Sequence, residues 1–181
     1  MGKYRSIIIS GPPVSGKSTL VKGLAAACRL KSHSVGGDVR RIWVKAYPNE
    51  EVSFEDFIKR NVLGYNKKIA PDLKRLFENN NIVADSRFVS YLNKRKCLLV
   101  FVTADLKTRA RRALQRLEYK GRHMKQIERL LTERDMYDFR AGRRGFGIDY
   151  RDPTLYHMVL NSGELSVREE IAIIKRAFMG R

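Results

Sequence analysis

The chain has 181 residues, 43% hydrophobic and 31% charged, with a formal net charge of +18. That balance describes one soluble domain long enough to bury a sizeable core, and no apolar run approaches the roughly 20 residues that span a bilayer. The charge biases partners without identifying one: arginines in a cleft for an anionic ligand account for part of it, and the excess is either a solvated surface or a contact with RNA or another polyanion.

The first predicted element is a strand, Ser6-Ile7-Ile8-Ile9-Ser10, a β-branched run of the kind buried on both faces of a parallel sheet. It begins so early that no leader is expected, which together with the absent spans predicts a cytoplasmic protein. Gly11–Ser18 follows and reads Gly-Pro-Pro-Val-Ser-Gly-Lys-Ser, a complete phosphate-binding loop. Leu20, Val21, Leu24, Ala25 and Cys28 then recur at helical spacing through about Arg29. Strand, loop and helix in that order name the ligand as the β- and γ-phosphates of a nucleotide with Mg²⁺. Gly11 and Gly16 permit the tight turn that aims backbone N–H groups inward, and Pro12 and Pro13 stiffen it. Lys17 bridges the phosphates, Ser18 coordinates the metal, and the helix N-terminus adds favourable partial charge.

A weak second strand spans Lys31 to Val35 and ends at Gly36-Gly37, with Asp38 capping a helix that Pro48 stops after about Tyr47. Ser53 and Asp56 open a helix over Phe54 to Leu63, and Pro71 starts another that reaches Glu78. Ile82-Val83-Ala84 is a short strand ending at Asp85, and Cys97 to Val102 is the clearest strand in the chain. A long basic helical region runs from Leu106 to about Phe139, divided by Gly121 and closed by Gly142, Gly145 and Gly147. From Lys107 to Arg144 it carries thirteen basic and five acidic residues. Met158-Val159-Leu160 is the last strand, and Ser166 with Glu169 forms a capping box for a helix to about Phe178. The two cysteines, Cys28 and Cys97, fall in apolar segments and read as buried, reduced thiols. Alternating strands and helices predict an α/β fold, a five-stranded parallel sheet with helices on both faces and a helical lid.

Asp85 ends an apolar strand on the edge of the sheet where such folds place ligands, so it is expected to hold Mg²⁺ or orient the attacking phosphate. Arg87, two residues on, can set its guanidinium on a substrate phosphate. Arg40 and Arg41 follow the Gly36-Gly37-Asp38 turn, and helical geometry turns only one of them to the cleft. Arg109, Arg111 and Arg112 open the basic helix, with Arg134 and Arg140 in its far arm. Arginines on such a flap can spread positive charge over a transferring phosphoryl group while excluding water.

Beyond the loop, Val35-Gly36-Gly37-Asp38-Val39-Arg40-Arg41, Val52 to Phe57, Ile82 to Arg87, Phe101 to Ala104 with Arg109 to Arg112, and Phe146-Gly147-Ile148-Asp149 with Asp152 and Tyr156 to Asn161 carry a family resemblance. Across about Ser6 to Arg176 the chain resembles the compact, archaeal-type cytidylate kinases of the nucleoside monophosphate kinase family. The resemblance implies a single P-loop NTPase domain over 1–181, a three-layer sandwich with an acceptor-binding region near 36–80 and a lid near 113–147. It implies ATP-dependent phosphorylation of CMP and dCMP to the diphosphate, by a monomer. The alternatives are a kinase for UMP or AMP, or an RNA- or ribosome-associated ATPase on the same fold.

Position by position, the resemblance implies that Gly11, Pro12, Pro13, Val14, Ser15, Gly16, Lys17, Ser18 and Thr19 bind ATP, with Arg109 and Arg112 on the same side. Asp38, Arg41 and Arg87 would hold the acceptor. Lys17, Asp85, Arg134 and Arg140 would be catalytic, and Ser18 and Asp85 would hold Mg²⁺. Asp149 and Asp152 would follow the lid. The chain departs from the family in Ser86 for glycine, in Arg40 and Gly36, and in Arg140-Ala141-Gly142-Arg143-Arg144-Gly145, where the spacing leaves Arg143 as an alternative to Arg140.

Overall fold

The computed structural model describes residues 4–49, 51–87 and 94–180, with backbone alone for 61–73 and 146. Five strands, β1 (Ser6–Ser10), β2 (Lys31–Ser34), β3 (Ile82–Asp85), β4 (Cys97–Thr103) and β5 (Met158–Asn161), form one sheet in the order β2-β3-β1-β4-β5. Every pairing is parallel. Parallel neighbours require long crossovers, and the helices supply them. β1 is central because Ile7, Ile8 and Ile9 can be buried on both sides, and all three are.

Alternation along the strands separates two cores. Ile7, Ile9, Val83, Leu98 and Val100 pack with α1 (Lys17–Cys28) and α6 (Val167–Met179). Ile8, Ala84, Leu99 and Phe101 face the other way, against Phe77 of α3 (Phe54–Asn79) and against Tyr150 and Tyr156. α2 (Val35–Ala46) joins α3 through Val39, Trp43, Phe54, Phe57 and Ile58. α4 (Leu106–Ala113) and α5 (Met124–Phe146) share a fourth cluster, Ala110, Ala113, Ile127 and Leu131.

Three predicted boundaries are corrected. α2 starts at Val35, because Ser34 rather than Asp38 caps it and its hydroxyl accepts from Gly37 N–H at 3.0 Å. The Gly36-Gly37 pair therefore lies inside the first turn. α3 runs unbroken through Pro71, whose missing N–H removes one rung without ending the helix. α5 continues through Gly142 and Gly145 and stops at Gly147, which takes the left-handed conformation at φ 68°. Gly142 is retained for space, since a side chain there would lie 3.1 Å from the Ile148 carbonyl oxygen.

Cys28 and Cys97 are free thiols, and Cys97 is fully buried with its pKa pushed up to about 12 by desolvation. Among the described residues no helix is long and apolar enough to cross a membrane.

Candidate functional site

The loop between β1 and α1 is shaped by its backbone. Gly11 adopts φ 145°, and a Cβ there would stand 2.0 Å from the Val102 carbonyl oxygen of β4. Gly16, the residue before α1, adopts φ 95°. Val14 is the exception, a β-branched residue at φ 61°. Such a conformation costs on the order of 1–3 kcal/mol. Burial of the valine in the α4–α5 cluster offsets it and ties the loop to that arm.

Cations hold the loop by its carbonyls. The Lys17 ammonium donates to the Pro12 carbonyl, Arg109 Nη1 to the Pro13 carbonyl at 3.3 Å, and Arg87 Nε to the Gly11 carbonyl at 3.4 Å. Arg109 is buried and fixed by a two-pronged pair with Asp135 of α5, at 3.1 and 2.7 Å. Arg112 donates to Ser162 at 2.9 and 2.6 Å, and the Ser162 hydroxyl donates to the Ser15 carbonyl at 2.9 Å. Two of the three arginines of α4, Arg109 and Arg112, thus brace the loop.

In front of the loop lies a cleft reaching from Pro13 to Ser18 across the end of β3 to α2, α3 and α5. Five cationic side chains line it, Lys17, Arg40, Arg87, Arg116 and Arg134, against three carboxylates, Asp85, Glu118 and Asp138. Burial, with Arg87 adding to it, lowers the Lys17 pKa well below its ordinary value. Such an ammonium gains most from an arriving anion.

Asp138 is 3% exposed and is shared by Arg87 at 3.1 Å and Arg134 at 3.2 Å. Burial alone would lower the Arg87 pKa, but Asp138, Tyr150 and Asp85 outweigh it and raise it. Arg87 also lies 5.6 Å from the centre of the Tyr150 ring. A second set joins Glu118 to Arg40 at 2.9 Å and to Arg116 at 3.7 Å. Arg40 and Arg134 both lie over the Phe54 ring, at 5.2 and 5.6 Å. α5 is tied to α3 by Tyr137, whose hydroxyl donates to the Lys59 carbonyl at 3.1 Å.

The structure brings Lys17, Ser18, Asp85, Arg87 and Arg134 to this cleft with Pro13, Val14, Ser15 and Gly16. Asp38 and Arg41 are not among its lining residues. They pair with each other, Asp38 also meets His33 at 3.4 Å, and the Arg41 side chain is 78% exposed. Arg140 and Arg143 are exposed, while Ala141 and Gly142 line the cleft at that level. Asp149 pairs with Arg151 at 2.8 Å, and Asp152 caps the turn at Thr154. Of the pair Arg40 and Arg41, it is Arg40 that reaches the cleft, while Arg116, Glu118 and Asp138 were missed by sequence reasoning. Only the i, i+4 spacing of Asp138 from Arg134 signalled one of them.

Asp85 is buried, and its Oδ1 has no hydrogen-bond partner among the described residues. Gly36 leaves the space beside it, since a Cβ there would lie 3.2 Å from Oδ2. An orphaned carboxylate oxygen and the Ser18 hydroxyl on one cleft are a hard-oxygen pair. They fit Mg²⁺, which takes one or two protein ligands and fills its shell with water and phosphate. Among the described residues no group of three or more His, Cys, Asp or Glu is placed to hold a metal ion.

Behind the loop a second recess is lined by Gly16, Thr19, Arg112, Arg116, Ser162 and Glu170. Glu170 is 2% exposed, its Oε1 has no hydrogen-bond partner among the described residues, and burial raises its pKa. A raised carboxyl pKa stabilises the fold below the unfolded value of about 4.3 and loses that contribution as pH rises through the folded value. Glu170→Gln should therefore raise Tm at pH 8 and leave it nearly unchanged at pH 4. An equal shift at both values in thermal melts would refute the assignment.

Known proteins resemble this chain over most of its length. The cytidylate kinase-like family matches residues 31–164. A cytidylate kinase of Sulfurisphaera tokodaii is 30% identical over 177 residues, covering 96% of this chain and 94% of its own. One from Archaeoglobus fulgidus is 26% identical over 180 residues, covering 94% and 93%. Among solved structures, an uncharacterized protein from Eubacterium ventriosum aligns with TM-score 0.64 at 15% identity, over 97% of this chain and 99% of that one. Shikimate kinase from Bacteroides thetaiotaomicron aligns at 0.55 and 16%, over 94% and 96%. These two show the fold alone, that of the P-loop kinases.

Proposed function

This chain belongs to the cytidylate kinase-like family, and we propose from that premise that it transfers the γ-phosphoryl group of ATP to CMP, and to dCMP, giving ADP and the diphosphate. The observation that carries the reading is the single cleft in which the phosphate loop and Lys17 face Arg87 and Arg134 across Asp85. Phosphoryl transfer needs positioning and charge stabilisation more than covalent chemistry, and this cleft supplies both.

In this reading the loop amides and Lys17 bind the β- and γ-phosphates of ATP. Arg109 and Arg112 keep the loop in shape from α4. Ser18 and Asp85 would hold Mg²⁺, which when bound neutralises charge on the β- and γ-oxygens. Arg87, Arg134 and Arg40 surround the acceptor phosphate, with Arg40 taking the place that the resemblance gives to Arg41. Asp138 gives up its share of Arg87 and Arg134 as that phosphate arrives. No general base is required, because a phosphate monoester with a second pKa of about 6 is already ionised near neutral pH. The α4–α5 arm serves as the lid, excluding water from the reacting groups.

A coupled assay across CMP, dCMP, UMP, AMP and GMP tests the acceptor. CMP should have the highest kcat/KM. A preference above tenfold for another monophosphate would replace CMP while leaving the phosphotransfer reading intact.

A further inference from the structure

The helix that closes the cleft carries a basic stripe outside it, interrupted by one carboxylate, Glu133, which pairs with Arg129. Of the four carboxylates of α5, Asp138 is held by Arg87 and Arg134, Asp135 by Arg109, and Glu133 by Arg129 and Lys59, while Glu128 has no cation within ion-pair distance among the described residues. The face turned from Asp135 and Asp138 carries Lys125, Arg129, Arg140, Arg143 and Arg144, all exposed, with Glu133 among them. At 100° per residue these five fall within an arc of about 100°, and at 1.5 Å rise they extend along about 29 Å of the helix. Lys125, Arg140, Arg143 and Arg144 have no carboxylate within ion-pair distance among the described residues. None of these side chains lines the cleft, so nothing in the proposed phosphotransfer uses them.

The chemistry of this face favours a nucleic acid strand. A membrane surface would need apolar anchors beside the charges, yet Met136 is the sole exposed large hydrophobic residue among the described side chains of α5. At the C-terminal end two guanidiniums gather on one aromatic ring, with Arg143 and Arg151 at 5.9 and 3.9 Å from the centre of Phe139. Unpaired bases stack on such arginine–aromatic groups, which a duplex does not offer. Gln126 and Thr132 lie exposed on the same face. Gln126 Oε1 accepts from His123 N–H and the Thr132 hydroxyl donates to the Glu128 carbonyl, which leaves the Gln126 amide NH₂ and the Thr132 oxygen lone pairs for a ribose 2′-hydroxyl, the group that distinguishes RNA from DNA.

We propose that the outward face of α5, from Lys125 to Arg144, binds single-stranded RNA through its phosphates. The inference stands apart from the acceptor assignment, because it concerns the surface turned away from the cleft.

Fluorescence anisotropy with a labelled 12-nucleotide RNA between 50 and 200 mM KCl tests it. Four phosphate contacts at about 0.7 each predict a slope of log K on log salt near −2.8. Lys125→Glu/Arg144→Glu should weaken binding at least tenfold at 50 mM, reduce the slope to about −1.4, and leave CMP phosphorylation and Tm unchanged. Lys22→Glu/Lys175→Glu makes the same change in net charge on α1 and α6 and should weaken binding less than threefold. Equal losses from the two pairs would overturn the proposal, as would equal affinity for DNA of the same sequence. Tighter binding to vesicles with 30% anionic lipid than to RNA would overturn it as well.

Discussion

Lys17→Ala lowers phosphoryl transfer by about 10³-fold or more while the protein stays folded, the scale expected when one preorganised charge is removed from a transition state. The structure explains both halves of that result. Lys17 is the cation carried by the loop itself, at the start of α1. Its burial disfavours the ammonium in the free protein, so deleting it costs the fold little and relieves a desolvated charge. The same lowered pKa gives a second readout. Arriving phosphates raise it, so at pH values between its pKa in the free and in the bound protein, nucleotide binding takes up a proton and affinity falls as pH rises. Calorimetry in buffers of different ionisation enthalpy measures that uptake, and Lys17→Ala should abolish it. Activity within tenfold of wild type would contradict the role.

Asp138→Ala destabilises the protein by about 3 kcal/mol, the low end of the roughly 3–5 kcal/mol expected when a buried ion pair loses one partner. The low end applies because the Arg87 side chain keeps 25% of its exposure while that of Arg134 keeps 11%. Both guanidiniums would be left without their carboxylate in a cleft already holding Lys17. Inorganic phosphate should then recover much of the loss in the variant and stabilise the wild type far less, because it can take the vacated place between the arginines. Denaturant unfolding with and without 20 mM phosphate reads both effects. A variant as stable as wild type would show that the pair contributes nothing. Destabilisation without phosphate rescue would show that the place is structural and not open to anions.

Much of this was legible in the sequence because it is local. Ser6–Ser10 is apolar and β-branched, the loop string is contiguous, and the Ser166–Glu169 capping box forms within four residues. The cleft was harder, because it depends on helix phase. Ser34 and Asp38 are both competent caps, and the choice rests on how Gly36 packs beside Asp85, a contact between segments about fifty positions apart. Once Ser34 caps α2, Val39 and Trp43 turn inward, Arg40 meets the cleft and Arg41 meets solvent. The same reasoning covers α5. Interior glycine costs a helix about 1 kcal/mol, so Gly142 and Gly145 read as its end. The close approach of Ile148 to Gly142 keeps the helix running instead. With the helix extended, Ala141 and Gly142 face the cleft, and Arg140 and Arg143 lie on the outer side. Asp138 was hidden for a different reason. An arginine and an aspartate at i, i+4 usually form a surface pair, and only tertiary packing shows that Arg87 shares this carboxylate.

The central claim is that the loop and the arginines facing it form one two-substrate cleft. Counting CDP and ADP in the same reaction, with ATP and Mg²⁺ and with or without CMP, tests it most directly. The account predicts one CDP for each ADP and no appreciable ADP without CMP. ADP released at the same rate in both, with no CDP formed, would contradict it and leave an ATPase on this fold.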